Sequence, residues 1–453
     1  MPPIVPSHIA ERCSARVREL TPKSTRSMMF YRLLKYVAAS VSCLAFVGFA
    51  LIAFARSSTG FYVVEQLVAP LHHTVLSPAF CRSGLRYAYA TISKAGGRTI
   101  VLDGIEGSTY DGIGDGSLTF SPDCKRFAFW AMDNGKWFVV VDGREGPRFD
   151  SSGISLIFSP DSQRVAYVAV QGKKHVVIVD DKYGPLYDGI GKGSPFFSGD
   201  GKRMAYTVSR DGRWFVVVDG KEGRDYDGIG TSGVIFSADG KTVAHAAQRN
   251  GKWFVVVDGK EQREYYGVGQ LTFRGLVNDV AYIAQQGGKQ FVVVDGKEGR
   301  KHERVAGLTF SPDGRRVAYV TFHSGKSFVV ADGKKSPGYD AVGNKLFFSP
   351  HSRHLAYPAE RDDKRFVVVD GKEGERYDGV GGSVVFGADG GLVAYGALQK
   401  GKWFVVLDGL DNKEGHKYDA LGPIGPVFQG DGSLGYLAIS NNRMLRVRHV
   451  LQR

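Results

Sequence analysis

From about residue 60 onward, short apolar runs alternate with punctuation rich in Gly, Pro and Asp, and one pattern returns roughly every 38 residues. Phe120 opens FSPDCKRFAFWAMDNGKWFVVVDGREGPRFDSSG, and Phe310 opens FSPDGRRVAYVTFHSGKSFVVADGKKSPGYDAVG. The leading Phe recurs at 80, 120, 158, 197, 236, 273, 310, 348, 386 and 428, which makes ten units. Each unit predicts four strands. The first ends at the repeated Phe, as in Leu118-Thr119-Phe120. Ser-Pro-Asp-Gly then turns the chain: Pro presets φ, Asp bonds back to its own backbone and Gly accepts positive φ. The second strand is Val317-Ala318-Tyr319 and its equivalents. The third is a continuous β-branched and aromatic run such as Trp253 to Val257, the pattern of a strand buried on both faces. A turn at Asp258-Gly259 leads to a short fourth strand ending near Tyr265. No unit has a 3.6-residue apolar period, so helical repeats fit poorly.

Four short strands in such a repeat are the unit of a propeller blade. The expected fold is all-β: a β-propeller of about ten four-stranded blades over residues 61–453, closed by an N-terminal strand. The tenth unit supplies Gly435 to Ala438 and Leu445 to Val450 as second and third strands, then stops. The run from Phe61 to Val68 belongs to no unit and can complete that blade, which removes an open sheet edge. Two rings of five, or an open superhelical stack, are the alternatives.

Ahead of the repeats the pattern changes. Residues 36–55, from Tyr36 to Ala55, carry no charge. Twenty residues at about 1.5 Å each cross a hydrocarbon core of about 30 Å, so one transmembrane helix is expected there. Residues 1–35 hold Arg12, Arg16, Arg18, Lys23, Arg26, Arg32 and Lys35 against Glu11 and Glu19. The positive-inside rule puts this basic segment in the cytoplasm and the repeats outside. A signal peptide cut after Ala53-Phe54-Ala55 is the competing reading, and Met28-Met29 as the true start would favour it. The expected location is therefore the inner membrane, single-pass, with the propeller on the periplasmic side, or secretion if the segment is cleaved.

Composition refines this picture in two places. Gly is 60 of 453 residues, which suits so many tight turns. The net charge is +13, of which residues 1–56 contribute +6 (eight basic, two acidic). Nearly half of the basic excess is thus a topology signal and no argument for nucleic acid.

The FSPDG–(K/R)–x–x–A–Y unit, followed by an aliphatic strand and Asp-Gly, resembles the WD-like propeller repeat of TolB-type periplasmic proteins over roughly residues 61–453. That resemblance implies a binding platform of the cell envelope; the namesake works with machinery that includes the peptidoglycan-associated lipoprotein. This chain departs from the pattern: residues 1–60 cannot supply the α/β domain that precedes the namesake's propeller, the repeats are more numerous, and an apolar anchor is present.

Candidate chemistry lies in the turns. Between second and third strands a basic residue repeats: Arg98, Lys136, Lys173, Arg213, Lys252, Lys289, Lys326, Lys364 and Lys402. In propeller topology these share a face with the links from fourth to first strand. They read either as an anion-binding surface for an envelope protein, acidic glycan or lipid headgroup, or as cations that solvate a hairpin exit. A second series on that face, Asp111, Asp150, Asp188, Asp227, Asp340, Asp378 and Asp419, reads as a cation site or as turn caps paired with the cations. Two units break the pattern: one has Arg274 to Val277 where SPDG belongs and, in its following loop, Lys301 to Arg304 where Tyr-Asp-Gly belongs, and the ninth carries the insertion Leu410-Asp411-Asn412. Cys81 and Cys124 fall in the first turns of neighbouring units, so a disulfide is open. Gly-x-Ser-x-Gly, His-Glu-x-x-His, Cys-x-x-Cys, phosphate-loop and calcium-loop patterns do not occur, and no cofactor or metal is expected. The expected role is a non-enzymatic scaffold of the envelope; a hydrolase or lyase with a site at the channel mouth is the alternative.

Overall fold

In each unit the Val-rich third strand lies inside a sheet, as its pattern predicts: Phe138, Val139 and Val140 of Lys136–Val141 are each at most 1% exposed. In most units both hairpins around it are tight turns with two positive-φ residues. Asn250 (φ 50) and Gly251 (φ 73) precede the strand Lys252–Val257, and Asp258 (φ 46) and Gly259 (φ 78) follow it. This geometry matches the right-handed twist of the flanking strands and explains much of the glycine content.

The structure is a computed structural model. It describes residues 51–451 except 57–60, 71–75, 82–85, 94–95, 276–278, 344, 408–409, 412–415, 423–424 and 442. The described residues form ten antiparallel sheets and no helix. Blades 1 to 9 span residues 76–110, 112–145, 151–187, 189–226, 228–261, 267–298, 304–335, 341–373 and 379–411. Each is a meander in sequence order, with its first strand against that of the next blade and its short, largely exposed fourth strand at the rim. A buried apolar cluster joins every consecutive pair from blades 1 and 2 to blades 9 and 10. The recurring unit of these seams is aromatic. Tyr265, 2% exposed, sets its ring edge-to-face on Tyr282 and Phe291 of the next blade at 6.0 and 5.9 Å.

Blade 10 closes the ring. Phe61–Pro70 pairs antiparallel with Arg443–Leu451, which pairs with Leu434–Ser440. Glu65 on the N-terminal strand accepts a 2.7 Å hydrogen bond from the Tyr418 hydroxyl and pairs with His416 Nδ1 at 2.9 Å. Blade 10 then meets blade 1, where Arg446 lies in the field of Asp103 and Tyr87. One closed ring of ten replaces the alternatives of two rings or an open stack.

The expected helix over 36–55 needs correction at its end. Residues 1–50 lie outside the described residues, but Leu51–Arg56 is a strand paired with Phe61–Pro70. The sheet edge left by Phe61–Pro70 offers its backbone groups as partners, and Leu51 to Ala55 take them. No helix among the described residues is long and apolar enough to cross a membrane.

Candidate functional site

The hairpins between second and third strands and the links from fourth to first strand share one face, here the hairpin face. The two repeated series meet there. Asp150, in the link into blade 3, accepts the Lys136 ammonium of blade 2 at 2.7 Å and the Gly172 backbone N–H of blade 3 at 2.7 Å. Asp378 does the same for Lys364 and the Lys400 N–H at 2.7 and 2.8 Å, and Asp419 for Lys402 and the Asn441 N–H at 2.6 and 2.8 Å. Arg213–Asp227 and Lys326–Asp340 repeat the arrangement, and Arg213 also meets Asp225 at 2.8 Å. Each carboxylate thus joins two blades. The lysine hydrogen bond first and the backbone donor second hold Asp150, Asp340, Asp378 and Asp419 below their ordinary pKa.

Two members of the cation series are displaced. In blade 3 the register Gln171↔Lys174 leaves Lys173 in the turn, and Lys174 pairs with Asp188. In blade 1 the hairpin is longer. Arg98 lies opposite Tyr110 as Trp137 lies opposite Phe149, so Gly97 takes the series position. The sequence spacing had no means of counting a longer turn.

The pairing lapses around blades 5 to 7. Tyr266, 61% exposed, stands where the series has Asp, and the Lys252 ammonium lies 3.1 Å from its ring centroid. Glu303 takes the next such position but engages His323 Nδ1 at 2.9 Å. Lys289 is exposed, with no carboxylate at ion-pair distance among the described residues. Beside it, between blades 6 and 7, opens a cavity of about 310 Å³ lined by Gln270, Gln285 and Gln290.

On the opposite face, arginines stitch the blades. Arg126 donates to Asp142 at 2.8 Å, reaches the Gln163 carbonyl of blade 3 at 2.8 Å and lies 5.1 Å above the Phe158 ring. Arg86, Arg164, Arg203 and Arg316 repeat this. Where blade 6 departs from SPDG, Asp279 occupies the arginine position and Arg274 supplies the reach, donating to the Gly314 carbonyl at 2.8 Å. Cys81 and Cys124 form a disulfide, with Cα atoms 5.5 Å apart. Neighbouring turns touch on this face: Ser162, at the place of Cys124, accepts the Asp123 N–H of the preceding blade at 3.0 Å.

Two seams carry polar substitutions beside cavities that reading the motif alone misses. At the tenth, Arg446 occupies the mid-strand place that Val139, Val177 and Val329 fill elsewhere, beside a cavity of about 470 Å³. Between blades 4 and 5, His245 replaces the second-strand Tyr beside a cavity of about 230 Å³. Aligning the ten units column by column exposes both substitutions. No cluster of three or more metal-ligating side chains occurs among the described residues.

No protein-family model and no curated protein matches the chain. Solved structures are similar at low identity. A eukaryotic initiation factor is 12% identical, covering 81% of this chain and 96% of that one, with a TM-score of 0.44. The β-propeller domain of the Trilobed protease from Pyrococcus furiosus is 15% identical, covering 67% and 97%, with a TM-score of 0.30. The Dos1 propeller is 10% identical, covering 83% and 93%, with a TM-score of 0.35.

Proposed function

We propose that the chain is an extracytoplasmic propeller of the cell envelope, delivered by its basic, then apolar N-terminal segment, and that it acts as a non-enzymatic docking scaffold. The observation that carries this reading is the lapse in charge pairing on the hairpin face. Six cations of that face are neutralised by aspartates that stitch blades, so they serve the ring itself. Lys252 and Lys289 are released from that duty: Lys252 lies 3.1 Å from the Tyr266 ring centroid, and Lys289 precedes Gln290, which lines the cavity between blades 6 and 7. Lysines without a carboxylate partner among the described residues, one of them on an exposed aromatic ring, suit an acidic protein surface. The Cys81–Cys124 disulfide favours an oxidising compartment. The resemblance of the repeat to TolB-type platforms points the same way.

The test is crosslinked capture from solubilised membranes with the full-length chain. The double variant Lys252→Glu, Lys289→Glu is expected to reduce the captured partner at least tenfold, and capture by the parent chain is expected to weaken with salt. Reversal of the paired Lys136 and Lys364 should leave capture intact. Equal capture by the parent and the Lys252→Glu, Lys289→Glu chain, or no captured partner at all, would overturn the reading.

A further inference from the structure

At three consecutive seams the outer rim is organised around one glutamate. Glu222, Glu261 and Glu298, in the outer strands of blades 4, 5 and 6, accept the tyrosine hydroxyl at the end of the preceding blade. The donors are Tyr187, Tyr226 and Tyr265, at 3.1, 3.3 and 3.3 Å. The arginine two residues before the tyrosine reaches the same carboxylate at two of these seams: Arg224 meets Glu261 at 3.7 Å, and Arg263 meets Glu298 at 2.9 Å. Arg249, at the end of the second strand of blade 5, meets Glu261 as well. One carboxylate there neutralises cations from two blades.

The next seam, between blades 6 and 7, keeps the cations and loses the carboxylate. Its register is unchanged, since Val330↔Lys335 repeats Val293↔Glu298 and Gln290↔His302 repeats Trp253↔Tyr265. Lys335 therefore stands at the glutamate position, His302 at the tyrosine position and Arg300 at the arginine position. Both cations act on the imidazole, whose pKa is lowered by burial first and by Arg300 and Lys335 after it. The Lys335 ammonium lies 3.6 Å from the centroid of Phe328, the ring whose counterpart Phe254 carries Arg249 at 5.1 Å in blade 5. Arg300, Lys301, Lys334 and Lys335 are exposed, and none has a carboxylate at ion-pair distance among the described residues. The glutamates on either side of Arg300 are already engaged, Glu298 by Arg263 and Glu303 by His323.

We propose that this rim binds an acidic segment of a partner protein, one of whose carboxylates takes the place that Glu261 and Glu298 hold in the two preceding seams. Two like charges at one seam repel, and a carboxylate that meets both replaces the repulsion with charge-assisted hydrogen bonds. The repeat itself argues for a carboxylate over other anions, because the same arginine column holds a carboxylate in the adjoining seams. Lys301 and Lys334 are the chain neighbours of the two cations and extend the positive charge, which favours a segment with several acidic residues over a single small anion. The inference rests on the acidic protein partner proposed above and gives it a second contact, on the rim.

The test uses the full-length protein and fluorescein-labelled hexaglutamate, followed by anisotropy at low salt, with hexaserine as the uncharged control. Saturable binding of hexaglutamate is expected, and none of hexaserine. Lys335→Glu rebuilds the repeat and is expected to weaken binding about tenfold; Arg300→Ser, which installs the residue blade 1 carries there (Ser108), should weaken it about fivefold. Lys221→Glu makes the same change of net charge at the outer strand of blade 4 and should leave the affinity within about twofold. No saturable binding, or equal losses in Lys335→Glu and Lys221→Glu, would overturn the proposal. If Lys252→Glu, Lys289→Glu abolishes binding while Lys335→Glu leaves it intact, the segment lies on the hairpin face; the rim site then fails and the scaffold reading stands. Hexagalacturonate carries the same number of carboxylates on a glycan, and tighter binding of it than of hexaglutamate would overturn the assignment to a protein segment.

Discussion

His245 and His449 sit in blade cores as neutral imidazoles, and burial pulls both down to a pKa of about 4. Below the ordinary imidazole value near 6.5 the unfolded chain takes up protons at these positions that the folded chain refuses. Folding stability therefore falls as pH drops from about 6.5 towards about 4, by about 3 kcal/mol for each histidine. His416 has the opposite sign. Its hydrogen bond to Glu65 raises its pKa, so its contribution is complete below the ordinary imidazole value and is lost as pH rises through the raised one. Glu65, lowered chiefly by that same bond, contributes above the ordinary carboxylate value and loses its contribution as pH falls through the lowered one. Urea midpoints measured between pH 4 and 7 should rise with pH, and His245→Tyr should flatten that rise by about one proton. A variant with the parent slope would mean that His245 is not buried neutral.

Among the elements, blades 1 and 2 are joined covalently as well as by packing. The Cys81–Cys124 bond closes a loop across a separation of 43 residues. In the chain-entropy account such a loop is worth about 4 kcal/mol, so Cys81→Ser, Cys124→Ser should lower the denaturation midpoint by a matching amount while leaving far-ultraviolet dichroism unchanged. An unchanged midpoint would show that the bond adds no constraint to the unfolded chain. The strands themselves were legible, since Trp253 to Val257 and its equivalents have one reading, and tight turns mark both ends. Register was less so. Lys173 and Lys174 look interchangeable in sequence, and only the pairing Gln171↔Lys174 decides which meets Asp188. The double use of each aspartate was hidden as well, because Asp150 joins groups from two blades, 14 residues before it and 22 after it. Leu51 to Ala55 misled because a run of apolar residues serves a sheet edge as well as a bilayer, and only a partner strand distinguishes the two.

At the scale of the molecule, each blade buries its faces against two neighbours, so stability behaves as a sum of seams and the ring depends on the last one. Blade 10 takes strands from both ends of the sequence: Phe61–Pro70 covers the edge of Arg443–Leu451, and Glu65 ties that strand to Tyr418 and His416. Deleting residues 1–70 removes the covering strand and the buried carboxylate together, leaving an exposed edge. That chain should lose its single cooperative transition and aggregate. Chain ends as such are not the cause, and a circular permutant separates the two explanations. Phe61 lies opposite Leu451 in the register, so a short linker can splice them, with new ends opened at the exposed Gly287-Gly288 hairpin of blade 6. The permutant keeps Phe61–Pro70 paired with Arg443–Leu451, drops the outer strand Leu51–Arg56 and moves the junction of the two ends to blade 6. It should stay free of aggregation and melt in one transition, because the ring needs a strand on that edge and not a particular terminus. If it aggregates like the truncation, closure depends on the upstream segment, and the strand pairing in blade 10 does not suffice to hold the ring.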